Sequence, residues 1–226
     1  STPPDEPAVR AFAATVASVG AVHASEHLSF NAVGSGAARM DTGMFLPPCP
    51  TDAGVDRAVA AVRAHQARLD VPFAVETGVN YLRPRRGELP DSEVVSRVAE
   101  RADCGVLLDL HNLWCNERNG RERVDEALAR LPLERVVEVH VAGGVDLRGW
   151  YLDGHCDLVP PELLAITADV LPMLPNARAV IFEILPLHVG LLGIERVREH
   201  LGELARVVDA ARRTPLRRPP ATFDVL

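Results

Sequence analysis

Histidine, carboxylate and amide side chains recur in this chain where short apolar runs end. The run 21–25 leads into Ser25-Glu26-His27, and the run 72–75 is followed by Glu76. GVLLDL (105–110) carries Asp109 and is followed by Asn112; VVEVHVA (136–142) carries His140; AVIFEI (179–184) carries Glu183. Asp153-Gly154-His155 falls between the last two and reads as a loop. Carboxylate, imidazole and amide donors together suit iron, manganese or zinc. Several carboxylates could bridge ions about 3.5–4 Å apart and activate water or dioxygen between them.

Each residue has a plainer reading. His27 could be a hydrogen-bonded strand-end histidine, Glu76 or Glu183 could pair with an arginine, and Asp109 or Asn112 could cap a turn. D-x-H arises often by chance. Five successive strand ends with ligand-type side chains are harder to obtain from packing. Burying several carboxylates together is costly without a cation.

The elements that must position these groups alternate. Helical spacing covers 6–18 through Val9, Phe12, Ala13 and Val16, and 57–69 through Val59, Val62 and Leu69. Asp91-Ser92 offers a cap for a helix to 101, with further helices over 125–131, 161–171 and 194–211. Helices alternating with apolar strands predict an α/β fold with a parallel sheet covered by helices. No G-x-G-x-x-G follows a strand, which removes support for a dinucleotide-binding fold. A (β/α) TIM-type barrel fits better, as one domain over 1–211 with an Arg/Pro-rich tail over 212–226. Five clear strands are three short of the eight that such a barrel needs.

The 226 residues, 47% hydrophobic with mean hydropathy +0.05, suffice for one core and are short for such a barrel. All 24 basic residues are arginine. This excludes Schiff-base lysine chemistry and a Walker-type phosphate loop. The net charge of −7 argues against nucleic acid as a partner. Four cysteines without a C-x-x-C pair point to a reducing, cytoplasmic location. No apolar run is long enough to span a membrane, and the first residues lack a signal-peptide pattern.

SEHLSF (25–30), VETGVNY (75–81), LLDLHNLWCN (107–116), HVAGG (140–144), DGH (153–155) and FEILP (182–186) together resemble the family called domain of unknown function 692. Its members are described as multinuclear non-heme iron-dependent oxidative enzymes. The resemblance runs from about residue 8 to 205 and implies a TIM-type barrel holding two or three irons. It implies as metal ligands His27, Glu76, Asp109, Asn112, His140, Asp153, His155 and Glu183, with Glu76, Asp109, His140 and Glu183 at the catalytic centre. It further implies modification of cysteine in a ribosomally made precursor peptide using dioxygen, and a small partner protein that recognises the leader.

The sequence departs from that family in three places. An upstream histidine in an H-G element has no counterpart, Thr77 stands where the family has Asn, and Ile184-Leu185 replaces an acidic residue. The resemblance implies roughly two strands before SEHLSF, one of them carrying that histidine, so the first one or two β/α units are expected to be lacking. Three expectations follow: a preceding segment, another chain completing the barrel, or a degenerate member. Among other residues, His23 is expected deep in the barrel, His111 facing the helix layer, and Cys156 inert. His65, His188 and His200 are expected in surface or packing roles. Arg83, Arg85 and Arg86 form a loop that is solvated or grips an acidic leader. Trp114, Trp150 and Tyr151 pack or line a substrate pocket. Two other functions remain open: a divalent-metal sugar isomerase or hydrolase, and a catalytically impaired binding relative.

Overall fold

The computed structural model describes residues 6–34 and 38–216. Its main sheet holds five parallel strands in the order β1 (Ala24–His27), β4 (Phe73–Glu76), β5 (Gly105–Asp109), β6 (Val136–Leu147) and β8 (Ala179–Glu183). Helices α1 (Glu6–Ser18), α2 (Asp52–Gln66), α3 (Asp91–Ala102), α4 (Leu110–Arg118), α5 (Val124–Arg130), α6 (Pro161–Val170), α7 (Pro186–Leu192) and α8 (Ile194–Arg213) complete the β/α alternation. The five strands are those expected from the apolar runs. The sheet is that of a partial (β/α) barrel: among the described residues β1 pairs only with β4 and β8 only with β6, so it does not close.

Strand periodicity divides this sheet into two chemistries. Phe73 and Val75, Val106 and Leu108, and Val139 and Val141 point into the apolar core beneath the helices, with Val55 and Val98 among its fully buried members. The alternate residues face the barrel interior: Glu76 on β4, Asp109 on β5, Glu138 and His140 on β6, Glu183 on β8. Register brings them level, because His27 sits opposite Glu76 and Asp109 opposite His140.

Several boundaries differ from the sequence reading. Helix α2 starts five residues earlier than expected, where the Thr51 side chain accepts a hydrogen bond from the Gly54 amide. Pro90, not Asp91-Ser92, is the N-cap of α3, and Asp91 binds Arg121 instead. Helix α8 continues to Arg213, and residues 217–226 of the expected tail lie outside the described residues.

Two hairpins were not anticipated. β2 (Phe30–Val33) pairs antiparallel with β3 (Met40–Leu46) beside the barrel mouth. β6 runs past the barrel rim and pairs antiparallel with β7 (Trp150–Asp157). Asp153 and His155 therefore lie on a strand, not in the expected loop. HVAGG makes this possible. A Cβ on Gly143 would overlap the carbonyls of Asp157 and Leu158, and one on Gly144 the Leu152 carbonyl, with the Tyr151 ring 2.9 Å away.

Gly144→Ala is accordingly expected to cost about 1–3 kcal/mol in urea unfolding, as overpacking does. Gly190→Ala meets nothing within 4 Å and should be nearly neutral in the same measurement.

Candidate metal centre

Local structure at the end of β5 sets the first part of the site. The strand ends at Asp109 and α4 begins at the next residue, with Asp109 as its N-cap. One carboxylate oxygen, Oδ1, accepts from the Asn112 amide at 2.9 Å. The other, Oδ2, is buried and has no hydrogen-bond partner. Thr77 ties β4 to β5 by accepting from the Asp109 amide at 2.9 Å, while its carbonyl accepts from the Asn112 side-chain amide at 3.1 Å. Thr77, where the resembling family has Asn, thus holds Asp109 and Asn112 in place. Asn112 is left with its Oδ1 buried and unpartnered.

Around Asp109, ligand atoms of Glu76, His140 and Glu183 gather so that all four lie within 4.8 Å of one another. His140 Nδ1 lies 3.2 Å from Glu183 Oε2 and 4.0 Å from Glu76 Oε1. His27 Nδ1 approaches Glu76 Oε2 at 3.2 Å from the edge strand and is more exposed than the rest.

The β6–β7 hairpin supplies a second group. His111, Asp153 and His155 also present ligand atoms within 4.8 Å of one another. Asp153 Oδ1 is 3.0 Å from His111 Nδ1 and 2.9 Å from His155 Nε2. Tyr81 fixes the hairpin by accepting from the Asp153 amide at 2.9 Å. Glu183 Oε2 joins the groups, being 3.6 Å from His155 Nε2 as well as 3.2 Å from His140.

All eight residues implied by the sequence resemblance therefore line one site. Six fall in the two groups, and His27 and Asn112 stand beside the first. His111 was misplaced by the sequence reading. It is fully buried and bonds to Asp153 rather than facing the helix layer. Treating 105–110 as strand throughout hid this: α4 begins at Leu110, so His111 sits on the first helical turn. The capping pattern of Asp109 before Leu110 was the available signal. His23 takes no part in either group; it bonds to Glu138, a residue the sequence reading overlooked. Cys156 is partly buried, and its thiol is pushed up chiefly by burial. Trp114 packs on Tyr151 with Arg118 over both rings, while Trp150 meets Tyr81 edge-on. His200 has a packing role, accepting from the Val159 amide. Arg83, Arg85 and Arg86 are exposed.

The electrostatics follow from crowding like charges in a buried space. Burial, and then the Asp109 charge, pushes Glu76 up to about 8. Burial raises Asp109 to about 6. For His140, burial opposes the cation, but Glu183 and Glu138 push it up to about 9. Asp153 pushes His155 up to about 9. Burial also opposes ionisation of Asp153 and Glu183, yet the neighbouring imidazoles hold both carboxyls below their ordinary range. Burial holds His27 low.

The donor set fits a metal. Asp109 Oδ2 and Asn112 Oδ1 are buried without hydrogen-bond partners, and the buried His140 Nδ1 and His155 Nε2 each face a carboxylate, Glu183 and Asp153. A cation there would satisfy the orphaned atoms and offset the carboxylate repulsion. A cavity of about 880 Å³ opens onto this space, walled by the β2–β3 hairpin through Met44 and Phe45 and by Tyr81 and Leu82.

Fold and site together define a partial (β/α) barrel with a carboxylate–histidine centre at the C-terminal strand ends. The model of the family described as RiPP precursor modification enzyme MbnB/TglH/ChrH matches residues 1–184, and the chain belongs to that family. A UPF0276 protein of Streptomyces avermitilis is 32% identical over 170 residues, covering 74% of this chain and 35% of the relative. A UPF0276 protein of Shewanella loihica is 31% identical over 177 residues, covering 76% and 62%. The chain thus spans less than two thirds of the length of these curated relatives. Among solved structures, D-psicose 3-epimerase from Clostridium cellulolyticum has a TM-score of 0.46 at 14% identity, covering 92% of this chain and 71% of that one. The zinc-bound IolI protein has a TM-score of 0.42 at 13% identity, covering 74% of each chain.

The pKa directions predict how the metal-free protein responds to pH. Glu76, His140 and His155 all hold protons more tightly when folded than when unfolded. The folded state therefore binds more protons between pH ~7 and 9, and stability falls as pH rises through that window. His27, Asp153 and Glu183, held low, act only at lower pH. Urea unfolding of chelator-treated protein at pH 7, 8 and 9 should show the decline.

Proposed function

We propose that this chain carries the centre of a multinuclear non-heme iron enzyme that oxidatively modifies cysteine in a ribosomally made precursor peptide, with dioxygen as co-substrate. The observation that carries the reading is the convergence of two ligand groups, bridged by Glu183 Oε2 of the first reaching His155 of the second, with the buried Asp109 Oδ2 and Asn112 Oδ1 left unpartnered. Family membership supports the peptide substrate. When bound, iron would supply thiolate binding and one-electron and dioxygen chemistry.

Glu76, Asp109, His140 and Glu183, with His27 beside them, would hold one part of the centre. His111, Asp153 and His155 would hold the other, with Asn112 Oδ1 turned to the same space. Glu183 Oε2 reaches a histidine of each group and is placed to couple them. The cavity admits a peptide segment between the β2–β3 hairpin and Tyr81-Leu82, and its apolar wall of Met44, Phe45 and Leu82 would exclude water around the reacting side chain. Recognition of a leader would fall to a separate small partner protein, with the exposed Arg83, Arg85 and Arg86 loop as its acidic-peptide contact. No described helix is long and apolar enough to cross a membrane. The four unpaired cysteines suit a cytoplasmic, reducing setting.

Protein purified without oxygen and analysed for metals should carry two or three irons per chain and consume dioxygen when given a cysteine-bearing precursor. Zinc or manganese without oxygen consumption would overturn this reading in favour of an isomerase or hydrolase. Glu183→Ala should lower iron content at both groups, whereas Glu76→Ala should spare the His111–Asp153–His155 group; Mössbauer spectra of the loaded proteins distinguish the two.

A further inference from the structure

Glu138 is a buried carboxylate on β6 whose ion-pair partners among the described residues are the histidines His23 and His140, and it lies outside both ligand groups. Each of its oxygens meets a different imidazole. Oε1 is 2.8 Å from His140 Nε2, and Oε2 is 3.1 Å from His23 Nε2. In its ionised form Glu138 accepts at both oxygens, and each imidazole then donates from Nε2. His140 is thereby held with Nε2–H directed down the barrel and Nδ1 directed up. That buried Nδ1 is the atom turned to the site, 3.2 Å from Glu183 Oε2 and within the group formed with Glu76 and Asp109.

His23 is what holds Glu138 in turn. It precedes β1, whereas Glu138 is on β6, with two strands, β4 and β5, between them in the sheet. Their bond joins residues 115 apart in sequence and crosses the barrel interior below the site. The chain His23–Glu138–His140 thus links the open edge of the sheet to a ligand at its centre.

We infer that Glu138 and His23 are positioning residues: Glu138 fixes the tautomer and ring orientation of His140 so that Nδ1 is presented to the metal, and His23 fixes Glu138. This rests on the metal centre proposed above. Carboxylates that hold a ligating histidine by its second nitrogen generally govern metal affinity, by roughly 10–100-fold.

The test compares Co(II) binding, followed by its visible absorption, in wild type and in Glu138→Leu, Glu138→Gln and His23→Leu. Glu138→Leu should bind Co(II) roughly 10–100-fold more weakly. Glu138→Gln keeps an oxygen for His140 and should recover most of the affinity, and His23→Leu should fall between. Nitrogen-15 NMR of the zinc-loaded wild type should show His140 protonated at Nε2, a signal that a purely structural role would not require. Co(II) affinity unchanged in Glu138→Leu, or His140 protonated at Nδ1, would overturn the inference. If Glu138→Leu does not fold, His23→Leu and the NMR assignment decide it. If the wild type binds no metal, the metal centre itself fails. Spectra of metal-free protein above pH 9 then decide whether Glu138 fixes the His140 tautomer.

Discussion

Four carboxylates, from Glu76, Asp109, Asp153 and Glu183, converge in a largely buried space whose counter-charges are imidazoles rather than arginines. Such an arrangement is unfavourable unless protons or a cation occupy it. Burial and mutual repulsion accordingly push Glu76 and Asp109 up, and the carboxylates push His140 and His155 up, so that protons bind more tightly there. The rest of the architecture can be read as what is needed to hold these groups together against their repulsion. The apolar face of the same strands, from Phe73 to Val141, provides the opposing free energy of burial.

Two devices bring the groups together. One is register in the parallel sheet, which sets His27 against Glu76 and Asp109 against His140. The other is the β6–β7 hairpin, which returns Asp153 and His155 over the strand ends. The hairpin depends on the close approach that Gly143 and Gly144 permit, and Tyr81 pins it from the β4 side. Glu183 then connects the two halves. In the proposed centre this sharing would couple the two groups electronically as well as spatially.

Much of this was legible before the structure. The five parallel strands and the convergence of their ligand-type ends followed from apolar runs and from the residue that closes each run. Their joint occurrence outweighed the plain reading of any single residue. The β2–β3 hairpin escaped because FNAV and MDTGMFL show no clean alternation of apolar and polar residues, and both strands are largely exposed. His111 escaped because a strand reading was carried one residue too far into α4. Glu138 escaped because a lone glutamate in a strand looks like any other charge until its two oxygens are seen between two histidines.

The sequence by itself determined the period-two separation of helix-facing from interior-facing residues, since that follows from strand geometry alone. It likewise determined the chemistry of the donors. Which donors share a space was decided only by tertiary structure. Strand order, hairpin return and the His23–Glu138 crossing join residues between 31 and 115 positions apart, as Asp109 with His140 and His23 with Glu138 show. Local propensity carries no information about such pairings. They are set by sheet order, by where a backbone can approach closely, and by the need to give every buried polar atom a partner.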